Sequence, residues 1–494
     1  MRFWRGLVLA LAISSVSGLQ VRLFQRLPPQ HFSDRSERLP QRLPLLHCSR
    51  PDRSERHSWR RTKRNEVLRF AAPALSTVLA DPLMSVVDAL VVGRTASTLE
   101  LASLGPALAV FNFVNYFFFF LSAATTVRVA AALSCSDEEA AATTLGVAVS
   151  VATLCGVFVT ICLIAKGPDL VRATGCVAAL VPAAARYLRV RALGSPFVLA
   201  AMVAQAGLLA QRDARTPLNA VTLACFLNVL GDFVLVPKIG AAGAAWATLV
   251  SQVVALPVML WLSKKRGRLP VNLRLPTRAE LGPLVSASKP LFVFETGMSI
   301  CYGLIQAAGA QFTVGATAAF QSLWNPTSFL TFVTYPLKQA AAVFLPTLKP
   351  QETREFMTVL LNIAWPLGLV IAGAEALCAA SPAAFTGDVA LHATIRGFGP
   401  PVAAAALILP FAQVGEGTLL GTGDLGFLSR TQIMNVFVAA FAMIAVKRVG
   451  VGVKGVYMVL FVFYLSRVVQ TTLRVFVFRK PWERDDDDMC DINL

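Results

Sequence analysis

The apolar residues of this chain neither alternate nor trace a narrow helical stripe. They fall in blocks of twenty or more residues, broken by short polar or basic stretches. A helix needs about 20 residues to cross the hydrocarbon of a bilayer, and each block reaches that length. Residues 70–93, between Arg69 and Arg94, form the first block. Further spans are expected at 101–133, 140–165, 177–209, 217–236 and 240–263, then at 281–311, 312–348, 356–380, 400–420, 425–446 and 449–478. The pattern predicts an all-α polytopic membrane protein with twelve transmembrane helices in two pseudo-symmetric six-helix lobes, 65–263 and 281–480.

Between the lobes runs a polar linker, 264–280, "KKRGRLPVNLRLPTRAE", in which Lys264, Lys265, Arg266, Arg268, Arg274 and Arg278 face only Glu280. By the excess of Lys and Arg in loops on the cytoplasmic side, this connection faces the cytoplasm or its topological equivalent. An even number of spans puts both ends of the membrane body there too. Arg186, Arg189 and Arg191 fall near the opposite face on this map, so the bias is not clean.

The halves echo one another. "QRDARTPLNAVTLACFLNVLGDF" leads to "GAAGAAWATLV", and "GTGDLGFLSRTQIMNVFVAAFAM" leads to "GVGVKGVYMVL". Asp213 precedes Gly240 and Gly243 by 27 and 30 residues; Asp424 precedes Gly452 and Gly455 by 28 and 31. A repeated turn, span and Gly-x-x-Gly start is what a duplicated six-span unit would leave. Secondary transporters are often built from such repeats, with their sites at the repeat interface. The glycines taken alone are explained by close helix packing.

Composition narrows the chemistry. Of 494 residues, 55% are hydrophobic and 15% charged, and the formal net charge is +17. Residues 1–64 carry 14 Lys or Arg against 4 Asp or Glu, so most of that excess sits at the front and gives no reason to expect nucleic acid. Nine cysteines occur singly, without a C-x-x-C pair, and Cys155, Cys162, Cys225, Cys301 and Cys378 fall in apolar runs, where they read as small hydrophobes rather than disulfides or metal ligands. Three of four histidines precede residue 60, which argues against a histidine site in the membrane body.

The opening "MRFWRGLVLALAISSVSGLQ" has the layout of a signal peptide over 1–20. Residues 21–64 are rich in Arg, Ser and Pro, repeat "QRLP" and "DRSER", and are expected to be disordered. Together they resemble the two-part presequence that reaches plastids wrapped in extra membranes. An ordinary signal peptide followed by a basic tail is the rival, with another endomembrane or the plasma membrane as destination. The acidic 481–494 is expected to be a solvated tail.

Charges inside the apolar blocks are the candidate chemistry. An Asp at a helix centre costs about 2.5–3.5 kcal/mol on insertion scales, so it is expected to face a cavity or a partner. Asp81 and Asp88 are two helical turns apart and share a face. Asn228 and Asp232, four apart, share another. Thr248 follows the first Gly-x-x-Gly, and Glu416, Glu375 and Lys338 lie in the second half. Asp88 close to Arg94, or Asp232 close to Pro237, would equally fit a structural role near a helix end. Arg128 and Arg467 sit near span ends and are expected to be interfacial anchors. The run Phe117–Phe120 is expected to face lipid or the core, with the lining of a cavity for aromatic solutes as the other reading.

"PLMSVVDALVVGR", "LELASLGPALAV", "FLSAATTVRVAAAL", "GAAGAAWATLVSQVVA" and "EGTLLGTGDLGFLS" fall in the order and spacing of the MATE (multidrug and toxic compound extrusion) family, and most resemble its DinF-like branch and the plastid-envelope members of plants. The resemblance covers about residues 65–478. It implies two six-helix lobes in a V and cation-driven export of small organic solutes, with small aromatic organic acids suggested by the plastid relatives. It also implies that Asp88, Asn228, Asp232 and Thr248 form the first-lobe cluster that binds Na⁺ or H⁺; no cofactor is expected beyond that coupling ion. Carboxylate, amide and hydroxyl oxygens suit such a hard cation. Glu416 matches the acidic position of the tenth helix, with a role in proton or substrate binding. The chain departs from the plant pattern at Phe320, in "AAFQ" where those relatives carry histidine, and at Lys338 in "YPLKQAAA". Lys338 either faces the same cavity as Glu416, pairing with it or attracting an anion, or snorkels to the interface.

Three other readings stand beside the transporter, which is expected to be a monomer in the bilayer. A non-transporting membrane scaffold or receptor is opposed by the duplicated halves with acids in their apolar blocks. A flippase for lipid-linked substrates shares the wider architecture. An intramembrane aspartyl protease is raised by "GTGD" ending at Asp424, but the chain has no Tyr-Asp pair, and its "PAL" triplets, at Pro73 and Pro106, come earlier. Capping of the eleventh helix, mirrored by Asp213 before the fifth, explains Asp424 better.

Overall fold

The computed structural model describes residues 53–479, apart from 175, 177, 272–275, 310–313 and 385–388. The expected signal segment, the front of the basic presequence and the acidic tail lie outside the described residues. Helix α1 runs Arg53–Thr95. It begins twelve residues inside the stretch expected to lack structure: residues 53–64 are helical. Their chemistry explains this, since Trp59 packs against the core and Arg60 reaches a carboxylate of the second lobe.

The first lobe continues with α2 (Thr98–Tyr116), α3 (Phe119–Ser134), α4 (Glu138–Ala173), α5 (Val181–Ala192), α6 (Ser195–Ala210), α7 (Arg215–Ile239) and α8 (Ala241–Lys265). The second has α9 (Arg278–Gly309), α10 (Val314–Val333), α11 (Tyr335–Phe344), α12 (Pro350–Ala380), α13 (Val389–Gly421), α14 (Leu425–Val449) and α15 (Lys454–Thr472), closed by a π-turn at Leu473–Arg479. Helices α2 and α3 form the second anticipated segment, α5 and α6 the fourth, and α10 and α11 the eighth. Among the described residues, nine helices are long and apolar enough to span, or ten if α5 and α6, bent by 51°, form one broken span. Helix α9, which carries Lys289 and Glu295, and the interrupted α10–α11 fall below that mark.

The duplication is visible in the packing. Helix α1 packs on α7, and α9 on α14; α4 packs on α6, and α12 on α13; α7 packs on α8, and α14 on α15. Each pair has its counterpart six segments later. At the Gly-x-x-Gly starts, Gly240 and Gly452 both take positive φ, +62° and +71°. A Cβ on Gly243 would lie 2.6 Å from the Leu235 backbone, so only glycine lets α8 begin against α7 there.

The spans are apolar outward and selectively polar inward. On α7, Phe226 and Phe233 are each 65% exposed, whereas Asn228 and Asp232 on the opposite side are fully buried. That is the arrangement a helix adopts when lipid surrounds the lobe and polar chemistry is kept inside it.

At the linker end the lobes touch. Arg60 on α1 bridges to Glu355 on α12 at 2.5 Å. Arg212, in the turn before α7, hydrogen-bonds Thr347 and stacks over Phe344, 4.3 Å from the ring centre. Phe70 meets Phe344 edge-on, 5.6 Å between centroids. The Phe117–Phe120 run also lies at the lobe interface, rather than simply facing lipid. Phe117 and Phe120 contact Phe292 of α9 at 5.2 and 5.3 Å, and Phe119 contacts Tyr335 of α11 at 6.0 Å.

Candidate functional site

Three helices carry the first-lobe cluster: α1 supplies Asp88, α7 supplies Asn228 and Asp232, and α8 supplies Thr248. All four are buried, at 4, 0, 0 and 4% exposure. Close approach of α7 and α8 sets Asn228 and Thr248 face to face, and the Asn228 amide donates to Thr248 Oγ1 at 3.2 Å. Thr248 Oγ1 lies 2.8 Å from the Ala244 carbonyl and 3.4 Å from Asp88 Oδ2. The Asp232 carboxyl faces that of Asp88 within hydrogen-bonding reach. The sequence-predicted residues therefore come together in one buried cluster. Asp81 shares the face of Asp88 but is exposed.

The cluster has more acceptors than donors. Asp88 Oδ1, Asn228 Oδ1 and both Asp232 carboxyl oxygens are buried without a hydrogen-bond donor among the described residues. Buried polar atoms left in this way are costly. A hard monovalent cation or a proton is the chemistry that satisfies them together, and the ligand set of two carboxylates, an amide carbonyl and a hydroxyl fits it.

Arg191, at 8% exposure on α5, adds a charge that the sequence map misplaced near the far surface. Its guanidinium stacks over Phe111 at 4.4 Å. The bend between α5 and α6 brings it inward. An amphipathic helix ending at a Gly-Ser-Pro turn was the available signal for that bend.

The second lobe holds a different arrangement. Glu416, on α13, is 1% exposed and accepts from Arg467 Nε at 2.6 Å. Lys338 Nζ lies 3.6 Å from Glu416 Oε2 and 3.6 Å from Glu295 Oε1 of α9. Of the two readings of Lys338, the structure takes the inward one: the side chain is buried, above the rings of Phe294 and Tyr335 at 4.7 and 5.8 Å. Arg467 is not an interfacial anchor. It is 1% exposed, between Glu416 and the rings of Phe463 and Tyr464. The position looked terminal because the apolar run continues past it only weakly, while the folded α15 carries it inward against α13. Glu295 was missed altogether, although an acid between two apolar turns of "LFVFETG" is the same kind of signal as Asp88.

Glu375 is 1% exposed and accepts from Thr327 Oγ1 at 3.1 Å. Arg128 lines a cleft of about 360 Å³ at the linker end with Asp137, Glu139 and Glu280, and no member of either buried cluster lines it.

Asp213 fills the expected capping role, accepting from the amides of Arg215 and Thr216 at 3.1 and 3.0 Å. It also holds Arg268 at 3.0 Å, tying the start of the linker to the foot of α7. Burial raises its pKa, but Thr216 and Arg268 outweigh that and hold the carboxyl below its usual range. Asp424 begins α14 yet makes no side-chain cap bond; it pairs with Arg474 at 2.8 Å. That pairing leaves the protease reading of "GTGD" without support.

Comparison with known proteins agrees with this architecture. The family model MatE matches residues 73–234. The chain is 30% identical over 429 residues to "Protein DETOXIFICATION 47, chloroplastic" of Arabidopsis thaliana, covering 85% of this chain and 78% of that protein. It is 28% identical over 453 residues to "Protein DETOXIFICATION 44, chloroplastic" of the same plant, covering 85% and 83%. A MOP superfamily transporter from Pyrococcus furiosus superposes with TM-score 0.74 at 19% identity, covering 84% of this chain and 96% of that one. An outward-facing multidrug resistance MATE transporter superposes with TM-score 0.69 at 20% identity, over 82% and 94%. The sequence match to the first of these relatives covers 85% of this chain, across both lobes, and the fold matches cover 82–84% of it. The chain therefore belongs to the MATE family of membrane efflux transporters and is not an enzyme.

Proposed function

We propose that this protein is a cation-coupled antiporter that exports small organic solutes, aromatic organic acids among them, by alternating access, and that it resides in a plastid membrane. The observation that carries the coupling role is the acceptor excess at Asp88, Asn228 and Asp232. An empty pocket keeps unpaired buried oxygens, and a filled one loses that penalty. A conformation that opens the pocket differently would bind the cation with different affinity, and that difference is what couples it to lobe movement. Asp88 and Asp232 supply charge, Asn228 supplies its carbonyl oxygen, and Thr248 positions Asn228 and Asp88. Either H⁺ or Na⁺ fits this chemistry. The chloroplastic names of the two Arabidopsis relatives support the plastid assignment. The contacts of Arg60, Phe70 and Arg212 at the linker end are those that would part when the lobes rock.

The test is flux in proteoliposomes. Solute movement under an imposed pH or Na⁺ gradient, lost in Asp88→Asn, is the expected result. Equal flux in both proteins removes Asp88 from coupling, and movement of labelled lipid alone favours a flippase.

A further inference from the structure

The second-lobe network contains two cations and two carboxylates of unequal standing. Arg467 and Glu416 form a tight pair at 2.6 Å, both about 1% exposed. Arg467 takes Glu416 Oε1 and anchors that carboxylate, while Oε2 faces Lys338 at 3.6 Å. Lys338 is left with two carboxylate neighbours at 3.6 Å, and neither is a hydrogen bond at that distance. Its ammonium carries three donors. It is therefore a buried cation, 6% exposed, with no hydrogen bond to its nitrogen among the described residues and two aromatic faces around it.

Glu295 is the looser partner. Its side chain keeps 18% of its surface exposed, against 2% for Glu416. The charged groups that face it are Lys338 from α11, Glu416 from α13 and Arg467 from α15; the phenols of Tyr335 and Tyr302 lie in the same network. With all four charges present the network sums to zero. An anion that binds Lys338 brings a further negative charge into a buried space, and the sum stays at zero only if one carboxylate takes up a proton. Glu416 is held by Arg467, so the proton goes to Glu295.

From this we infer an anion subsite at Lys338 in which Glu295 occupies the place of the ligand's carboxylate. An incoming organic carboxylate displaces Glu295 from the ammonium, its apolar part lying against Tyr335 and Phe294. Glu295 moves away and takes one proton from solvent, so that anion and proton are bound together and no net charge is buried. Arg467 acts as a positioning residue that fixes Glu416 and keeps it from competing. The inference rests on the proposed export of organic acids but not on the cation role of Asp88.

The full-length protein in lipid nanodiscs is titrated with benzoate by calorimetry at pH 7, in buffers of different ionisation enthalpy. Wild type is expected to take up about one proton per benzoate bound. Glu295→Gln is expected to bind benzoate with no proton uptake. Lys338→Met is expected to bind at least roughly 30-fold more weakly, as when one partner of a buried charge pair is removed, while Lys338→Arg keeps binding. Asp88→Asn is expected to retain benzoate-linked proton uptake even where gradient-driven flux is lost, so the two readings fail separately. Benzoate bound by wild type without proton uptake, uptake persisting in Glu295→Gln, or no binding by wild type would each overturn the inference. The wild-type measurement depends on no variant's folding.

Discussion

Thr248 Oγ1 lies 3.4 Å from Asp88 Oδ2 and 2.8 Å from the carbonyl of Ala244, one turn earlier on its own helix. A hydroxyl has one proton. The shorter contact claims it, so Asp88 is left with a hydroxyl neighbour that donates little to it. The other Asp88 oxygen has no donor among the described residues. The pocket is thus organised by hydrogen bonds between its members and still left short of positive charge.

Loss of coupling in Asp88→Asn is expected to lower gradient-driven flux roughly 5- to 150-fold, the range of ordinary coupling free energies. Asp232→Asn should behave likewise. Thr248→Val keeps the shape and removes the acceptor for Asn228, so it should weaken cation dependence with a smaller loss of flux. Flux measured against external cation concentration separates the three, and an unchanged cation dependence in Thr248→Val would show that Asn228 needs no such support.

Removing one member of the Arg467–Glu416 pair leaves a buried charge unpaired. Arg467→Met is expected to destabilise the protein by about 3–5 kcal/mol. Combining it with Glu416→Gln should recover most of that loss, because the surviving charge is gone as well. Thermal unfolding midpoints of the two single variants and the double variant check this; additive losses would mean that the pair does not act as a unit.

The clasp at the linker end should be testable by locking it. Cysteines replacing Arg60 and Glu355, whose charged groups meet at 2.5 Å, are expected to be joined by a short reducible bifunctional thiol reagent that replaces the reach of the two lost side chains. This should stop transport, with reduction restoring it. Continued flux in the cross-linked protein would place the moving contact elsewhere.

Asp213 gives a pH dependence with a definite sign. Its folded pKa lies below the unfolded one, so its contribution to stability is complete above the unfolded value, about 4. It is lost as pH falls through the folded value. Asp213→Asn should therefore unfold at lower temperature than wild type near neutrality, and the gap should close in acid. A gap that widens in acid would contradict the assignment.

The order of the helical segments was legible because lipid requires long uninterrupted apolar runs, which survive in the sequence whatever packs beside them; of the twelve expected spans, nine or ten are long and apolar enough among the described residues. The first-lobe site was legible for the opposite reason: Asp88 and Asp232 are conspicuous where charge is expensive. The second-lobe network was only half legible. Lys338 and Glu416 stood out, but Glu295 and Arg467 lie in sequence neighbourhoods where a charge passes for an interfacial residue, and only the packing of α9, α13 and α15 shows otherwise. The echo between halves also ends at the site itself. The positions 15 and 19 residues beyond Asp213 hold Asn228 and Asp232, while the same steps beyond Asp424 hold Ala439 and Met443. The scaffold is duplicated and the polar chemistry is not.

Helix α1 starting at Arg53 constrains how this polypeptide can mature. If a leader is trimmed after membrane targeting, a cut beyond residue 60 would discard the guanidinium that meets Glu355, and one beyond residue 59 would discard the Trp59 indole that packs against the core. A processing protease must therefore stop upstream, or the finished carrier would lose one of the fastenings between its halves.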